Sequence, residues 1–295
     1  MDFKDILKQK TAEVQAVIDR YLPEETGHQK TVLESMNYSV TVGGKRLRPM
    51  LMQETYRLFG GQDQDIEPFM AAMEMMHSAS LVHDDLPAMD NDEYRRGKHT
   101  TWVKYGEDMA ILAGDALMVY CFETALKAGS MTKHMDRVLR SASILAEKSG
   151  IYGMIGGQTV DVELTDKPIP RDKLDFIYAL KTGALLEASM LIGAVMAGAS
   201  PEEEEKIISI SHDVGLAFQI QDDILDVIGD QEVLGKPVLS DEKNHKTTYV
   251  TLEGLEKAGE EVRKLSERAI QTLQELPYEN PFLEQLILML VNRKK

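Results

Sequence analysis

The chain has 295 residues, 43% of them apolar, one cysteine and a formal net charge of −16 at pH 7. That charge excludes nucleic acid and anionic membrane surfaces as partners, and an anionic substrate would have to be held by local cations against the overall field. The lone Cys121 cannot form an internal disulfide and sits among apolar neighbours, which predicts a buried thiol and a reducing, cytoplasmic setting. No hydrophobic run reaches the roughly 18 residues of a membrane span, Met1-Asp2-Phe3-Lys4-Asp5 does not read as a signal peptide, and no linker divides residues 1–295 into more than a single domain.

Residues 2–21 read as an amphipathic helix, with Val14, Val17 and Ile18 among its apolar positions, and residues 31–40 as another. Gly43-Gly44-Lys45-Arg46-Leu47-Arg48-Pro49 follows. Paired glycines let a backbone approach an anion closely, and Lys45 and Arg48 can point to one side, although such a stretch is also an ordinary turn. A helix over 51–59 stops at Gly60-Gly61. A long helical pattern over 65–83 carries His77, which by itself reads as a core histidine. Arg95-Arg96-Gly97-Lys98 opens a loop to position 101; its arginines suit oxyanions or neutralise nearby carboxylates. A helix over 107–128 holds Ala113-Gly114-Asp115, which permits close packing, and another covers 133–146. In Gly156-Gly157-Gln158-Thr159-Val160-Asp161, Gln158 and Asp161 predict a buried polar network. An apolar helix over 171–197 contains Lys181-Thr182-Gly183, where it can kink and expose carbonyls; Lys181 can equally snorkel to the surface. Ser200-Pro201-Glu202-Glu203 is a helix start. The chain is polar and loop-like over 229–249, and helices over 253–276 and 282–291 follow. Nothing alternates as a strand, so the chain reads as all-α.

Two acidic clusters stand out. Asp84, Asp85, Asp90, Asp92 and Glu93 fall within ten positions at the end of one apolar helix, and Asp222, Asp223 and Asp226 end another. Asp222 and Asp226 share a helical face. Crowded carboxylates repel one another and resist desolvation, a cost relieved by a hard cation such as Mg2+, which takes one or two carboxylates and completes its shell with water and phosphate. Asp84 and Asp90 lie about 120° off a common face of a straight helix, and Pro87 between them predicts that Asp90 returns from a turn. One such cluster could be a solvated acidic face; two, each joined to an apolar helix, make a facing pair across a bundle core the better expectation.

The two clusters resemble the first and second aspartate-rich motifs of the trans-isoprenyl diphosphate synthases, with DDx4D spacing in the first and DDxxD in the second. The resemblance runs from Gly43 nearly to the end of the sequence. It implies an all-α, isoprenoid-synthase-like bundle with a central cavity, acting as a homodimeric, cytoplasmic prenyltransferase of the farnesyl or geranylgeranyl diphosphate synthase type. Asp84, Asp85, Asp90, Asp222, Asp223 and Asp226 would hold three Mg2+ ions on an allylic diphosphate. Gly44, Lys45, Arg48, His77 and Arg96 would hold isopentenyl diphosphate, and Arg95, Lys181, Lys236 and Lys246 would serve the diphosphates, with Thr182 and Gln219 near the developing cation. Ala79 and Ser80 replace the aromatic plug common in farnesyl-forming relatives and leave the chain pocket open toward Met75 and Met76, which tilts the expected product to C20; Tyr120 and Phe122 are alternative plugs. A class I terpene cyclase fits less well, since Asp222-Asp223-Ile224-Leu225-Asp226 is not its Asn/Ser/Glu motif. A non-catalytic partner subunit would have lost its aspartates.

Overall fold

In a computed structural model, residues 2–228 and 247–291 are described, and among them the chain is all-α apart from one short hairpin. They group into two compact units, residues 1–53 with 62–142 and residues 54–61 with 143–295.

The first unit contains α1 (Phe3–Arg20), α2 (Lys30–Thr41), the start of α3 (Leu47–Leu58), α4 (Glu67–Asp84), the hairpin β1 (Tyr94–Arg95) and β2 (Lys98–His99), α5 (Thr101–Tyr105), α6 (Glu107–Leu126) and the start of α7 (Met135–Ser149). Asp2 caps α1 by accepting from the Asp5 backbone N–H at 2.9 Å,. Pro68 begins α4 without wasting a donor. The helix is then apolar on nearly every side: Phe69, Met70, Met73, Met75 and Ala79 are fully buried. Such a helix belongs in a core, and α4 is packed by α1, α2 and α6. Gly114 sets the approach of α6, because a Cβ there would lie 2.1 Å from His83 Nε2. Residues 95–101, expected as a loop, instead form the hairpin and the start of α5. Arg96 (φ 54°) and Gly97 (φ 74°) both take the left-handed conformation that a two-residue type I′ turn requires,.

The second unit contains α8 (Met154–Glu163), α9 (Arg171–Ile177), a π-helical turn (Tyr178–Gly183), α10 (Ala184–Ala197), α11 (Pro201–Ile228), α12 (Tyr249–Glu253), α13 (Leu255–Gln274) and α14 (Pro281–Val291). At Lys181-Thr182-Gly183, where a kink is expected, the chain takes that π-helical turn, which joins α9 and α10 into one continuous rod. Helix α10 is buried almost throughout and packs on α11, which in turn packs on α13. Ser200 and Glu203 form a reciprocal capping box at the start of α11: the Ser200 N–H donates to Glu203 at 2.7 Å and the Glu203 N–H to the Ser200 hydroxyl at 3.4 Å,.

One expectation is corrected. Two helical stretches, Glu107–Ser130 and Arg171–Ala197, are long and apolar enough to cross a membrane. An unbroken apolar run is absent because Asp115 and Glu123 interrupt the first and Lys181 and Glu187 the second. The second stretch is mostly buried inside the protein, as a core helix of this composition would be.

Candidate active site

The first aspartate motif is assembled where α4 ends. Asp84 is its last residue and Asp85 follows as its cap. Pro87 stops the helix, and the chain folds back so that the Asp90 N–H donates to the Asp84 carbonyl at 2.9 Å. The return of Asp90 predicted from Pro87 is therefore present. Asp85 is buried and already engaged: Arg95 Nε donates to its two oxygens at 2.7 and 3.0 Å, and Arg95 Nη2 lies 2.6 Å from Oδ1. Burial raises the Asp85 pKa, against the pull of Arg95,. Arg95 therefore neutralises an aspartate of the first acidic motif.

A second group surrounds Glu74 and His77, three residues apart on one side of α4. Gly43 and Gly44 have φ of 122° and 132°, values natural to glycine, and Arg96 lies on them. A Cβ at Gly44 would come within 2.8 Å of Arg96 Cζ, and Arg96 Nη1 donates to the Gly43 carbonyl. Arg46, at φ 53°, turns inward and is almost wholly buried. Its Nε donates to Gln15 Oε1 at 2.6 Å, its Nη1 to Glu74 Oε1 and its Nη2 to the Val40 carbonyl. Arg48 Nη1 lies 3.3 Å from His77 Nε2, and the buried Arg48 Nε has no acceptor among the described residues. Burial lowers the Arg48 pKa to about 10, with Glu74 pulling the other way. Burial, then the charges of Arg48, Arg96, Arg95 and Arg46, hold His77 well below the ordinary imidazole range. It is neutral at pH 7 and can donate a hydrogen bond without competing for protons. Lys45 is exposed beside this group. Arg46, Arg48 and Arg96 around the one buried carboxylate of Glu74 give this group surplus positive charge, suited to a phosphate or diphosphate.

In the second unit a cavity of about 140 Å³ gathers Asp161, Tyr178, Lys181, Thr182, Gln219 and Asp223. The sequence placed Lys181, Thr182 and Gln219 together only by resemblance; here they share one wall. The π-helical turn aims Lys181 and Thr182, and its position is set by backbone contact. A Cβ on Gly157 of α8 would lie 2.3 Å from the Lys181 backbone N, and one on Gly215 of α11 would lie 3.1 Å from Gly183 Cα. Asp161, one turn beyond Gly157, accepts from Lys181 Nζ at 2.6 Å. Of the pair expected to form a buried polar network, Asp161 is only partly buried and pairs with the candidate diphosphate lysine. Asp223 is buried. Its Oδ2 accepts from the Tyr178 hydroxyl and, at 2.9 Å, from the Tyr249 N–H, so this aspartate ties α11 to the π-helical turn and to α12. Asp222 is only partly buried, and Asp226 is buried on the same face of α11.

Ala79 and Met75 are fully buried and Met76 nearly so, while Ser80 turns its hydroxyl back to the His77 carbonyl at 2.9 Å. Tyr120 donates to the Tyr21 carbonyl at 3.2 Å, and Phe122 is partly buried. Burial pushes the Cys121 thiol up to about 12, so it is inert as a nucleophile at neutral pH,. Lys236 and Lys246 lie outside the described residues. Sequence reasoning passed over Arg46, Glu74 and Tyr178. Glu74 carried a visible signal, a single carboxylate inside Met73-Glu74-Met75-Met76 of an apolar helix.

The polyprenyl synthetase family model matches residues 29–279. A farnesyl diphosphate synthase of Escherichia coli (strain K12) is 40% identical over 300 residues, covering 100% of this chain and 100% of its own length. A geranylgeranyl diphosphate synthase of Cyanophora paradoxa is 41% identical over 259 residues, 87% of this chain and 85% of its own. An apo FPP/GFPP synthase from Zymomonas mobilis superposes with a TM-score of 0.87 at 32% identity, covering 98% of each chain. A Helicobacter pylori geranyltransferase solved with magnesium and isoprenyl diphosphate gives 0.84 at 30% identity, covering 99% of this chain and 97% of that one. The chain belongs to the polyprenyl synthetase family. Within it, the protein is a short-chain trans-prenyltransferase.

Proposed function

We propose that the protein condenses isopentenyl diphosphate with dimethylallyl, geranyl or farnesyl diphosphate, releasing pyrophosphate, and that its end product is geranylgeranyl diphosphate, with farnesyl diphosphate as the shorter alternative. The observation that carries this reading is the cavity in which Lys181, Thr182 and Gln219 meet beside the second aspartate motif. Lys45, Arg48, His77 and Arg96 bind the diphosphate of isopentenyl diphosphate; the buried Arg48 Nε–H supplies a donor that this anion would satisfy. Arg95 and Lys181 bind the allylic diphosphate, and release of Lys181 from Asp161 frees a cation for it.

The carboxylates fit Mg2+, a hard ion that prefers oxygen ligands. Asp84, Asp90, Asp222 and Asp226 would hold the metal ions, with Asp85 and Asp223 contributing alongside their existing bonds to Arg95 and Tyr178. Among the described residues no group of three or more His, Cys, Asp or Glu side chains is gathered to hold a metal ion; phosphate oxygens and water would complete the shell. When bound, Mg2+ supplies charge stabilisation for the leaving pyrophosphate. The allylic carbon–oxygen bond breaks with its electron pair going to pyrophosphate, which Arg95 and Lys181 help stabilise. The double bond of isopentenyl diphosphate then forms the new carbon–carbon bond, and a proton leaves to the pyrophosphate. Thr182 and Gln219 present oxygen dipoles to the developing cation, and apolar walls exclude water from it.

We read the whole of residues 1–295 as one polyprenyl synthetase domain, since a single family match spans residues belonging to both units. The protein acts as a cytoplasmic homodimer without membrane insertion. Ile111, Leu112, Val119 and Leu126 give α6 an exposed apolar face that a second copy would cover,.

Incubation with Mg2+, labelled isopentenyl diphosphate and each allylic substrate should give C20 as the longest product. Ala79→Phe should shorten it to C15 or less with the melting temperature within a few degrees of wild type. Unchanged product length with a collapsed melting temperature would show that Ala79 is packed core and not the floor of a chain pocket.

A further inference from the structure

Arg46 is an unusual residue to find buried. It follows Lys45, the candidate diphosphate ligand, yet it points away from solvent, with its side chain fully enclosed and paired with an equally enclosed Glu74. Its backbone occupies the left-handed region at φ 53°, which a long side chain rarely adopts without compensation,. That compensation is visible. All three guanidinium nitrogens donate, to Gln15 on α1, to the Val40 carbonyl near the end of α2, and to Glu74 on α4. One side chain thus fastens the turn at 43–46 to three helices. The turn in turn carries Lys45 on one side of Arg46, leads into Arg48 on the other, and supports the Arg96 guanidinium on Gly43 and Gly44. Glu74 lies three residues before His77, whose Nε2 meets Arg48.

We propose that Arg46 and Glu74 are positioning residues for the diphosphate of isopentenyl diphosphate: they touch no substrate, and they fix the turn and helix face from which Lys45, Arg48, His77 and Arg96 bind it. The proposal rests on the site reading given above. A buried ion pair of this kind adds little net stability relative to well-packed apolar residues, so its value lies in geometry. The fork of Arg46 cannot be matched by a lysine, which keeps the charge and loses the three-way attachment.

The role has a distinctive sign. If Glu74 acted only through its charge, removing it would strengthen the positive field of the pocket and tighten diphosphate binding. If it positions the cations, removing it weakens binding. Calorimetric titration of isopentenyl diphosphate into the full-length protein in Mg2+ buffer reads this directly, alongside KM for each substrate. Arg46→Lys, Glu74→Gln and the double replacement Arg46→Met with Glu74→Met are compared; the last removes both charges without leaving one buried alone. The expected result is about a tenfold or greater loss of isopentenyl diphosphate affinity in all three, in line with the cost of ångström-scale misplacement, with KM for the allylic substrate within about twofold of wild type. Unchanged or tighter binding in Glu74→Gln, while Lys45→Ala binds more weakly, would overturn the proposal. Equal loss for both substrates would also overturn it, since that marks general damage to the fold. If Lys45→Ala itself binds normally, the diphosphate site lies elsewhere and the underlying reading fails with the proposal.

Discussion

Asp84→Ala and Asp222→Ala should each lower turnover by about 10³-fold, with the melting temperature within a few degrees of wild type. Losing a direct ligand to a charge-stabilising metal removes several kcal/mol of transition-state stabilisation, and about 4 kcal/mol corresponds to three decades at 1.36 kcal/mol per decade. Both carboxylates are only partly buried, so little core packing is lost with them. Asp223→Ala should behave differently although it belongs to the same motif. It removes the acceptor shared by the Tyr178 hydroxyl and the Tyr249 N–H, and a hydrogen bond to a charged group contributes about 1.5–3 kcal/mol. Its loss of activity is therefore accompanied by a clear drop in thermal stability. Steady-state rates combined with thermal melts separate the two cases. Full turnover in both Asp84→Ala and Asp222→Ala would remove the metal assignment.

Gly157→Ala is expected to have the second large effect, although it removes no charged or polar side chain. The added methyl would meet the Lys181 backbone N at 2.3 Å and the Leu180 carbonyl carbon at 2.9 Å. These are backbone atoms of the π-helical turn and cannot swing aside as a flexible side chain can. Overpacking of this kind costs about 1–3 kcal/mol, a fall of several degrees in melting temperature for a chain of this size. The turn must also shift, carrying Lys181 and Thr182 with it, and displacement near 1 Å can cost about 10²-fold in rate. Gly259→Ala is the matching control: nothing lies within 4 Å of a Cβ there, and alanine in a helix is favoured over glycine by roughly 0.5–1 kcal/mol. If Gly157→Ala melted and turned over like Gly259→Ala, the close contact between α8 and the π-helical turn would not be setting the site.

Several of these features were legible in the sequence for physical reasons. Pro87 cannot continue a helix, so the return of Asp90 to the end of α4 follows from covalent geometry. The apolar run around Phe69–Met73 marks a helix surrounded by protein, and Gly183 within an apolar rod marks its π-helical turn. Other features depend on partners distant in the sequence. The DDxxD spacing treats Asp222 and Asp223 alike; Tyr178, 45 positions earlier, and the Tyr249 N–H, 26 positions later, distinguish Asp223. Arg46 follows Lys45 directly, and no periodicity distinguishes the enclosed arginine from the exposed lysine beside it. The hairpin escaped because Arg96 is not a residue that favours positive φ, so Arg96-Gly97 read as loop. The membrane criterion failed because it sought an unbroken apolar run, whereas α6 and the α9–α10 rod are apolar stretches interrupted by isolated charges.

The central claim is that the protein joins two substrates, and the most direct test measures the stoichiometry of pyrophosphate released to isopentenyl units incorporated. With geranyl diphosphate, labelled isopentenyl diphosphate and Mg2+, the ratio should be one to one, and omission of isopentenyl diphosphate should reduce release to background. Release from geranyl diphosphate alone at a comparable rate, with cyclic or hydrolysed products and no label incorporated, would contradict it.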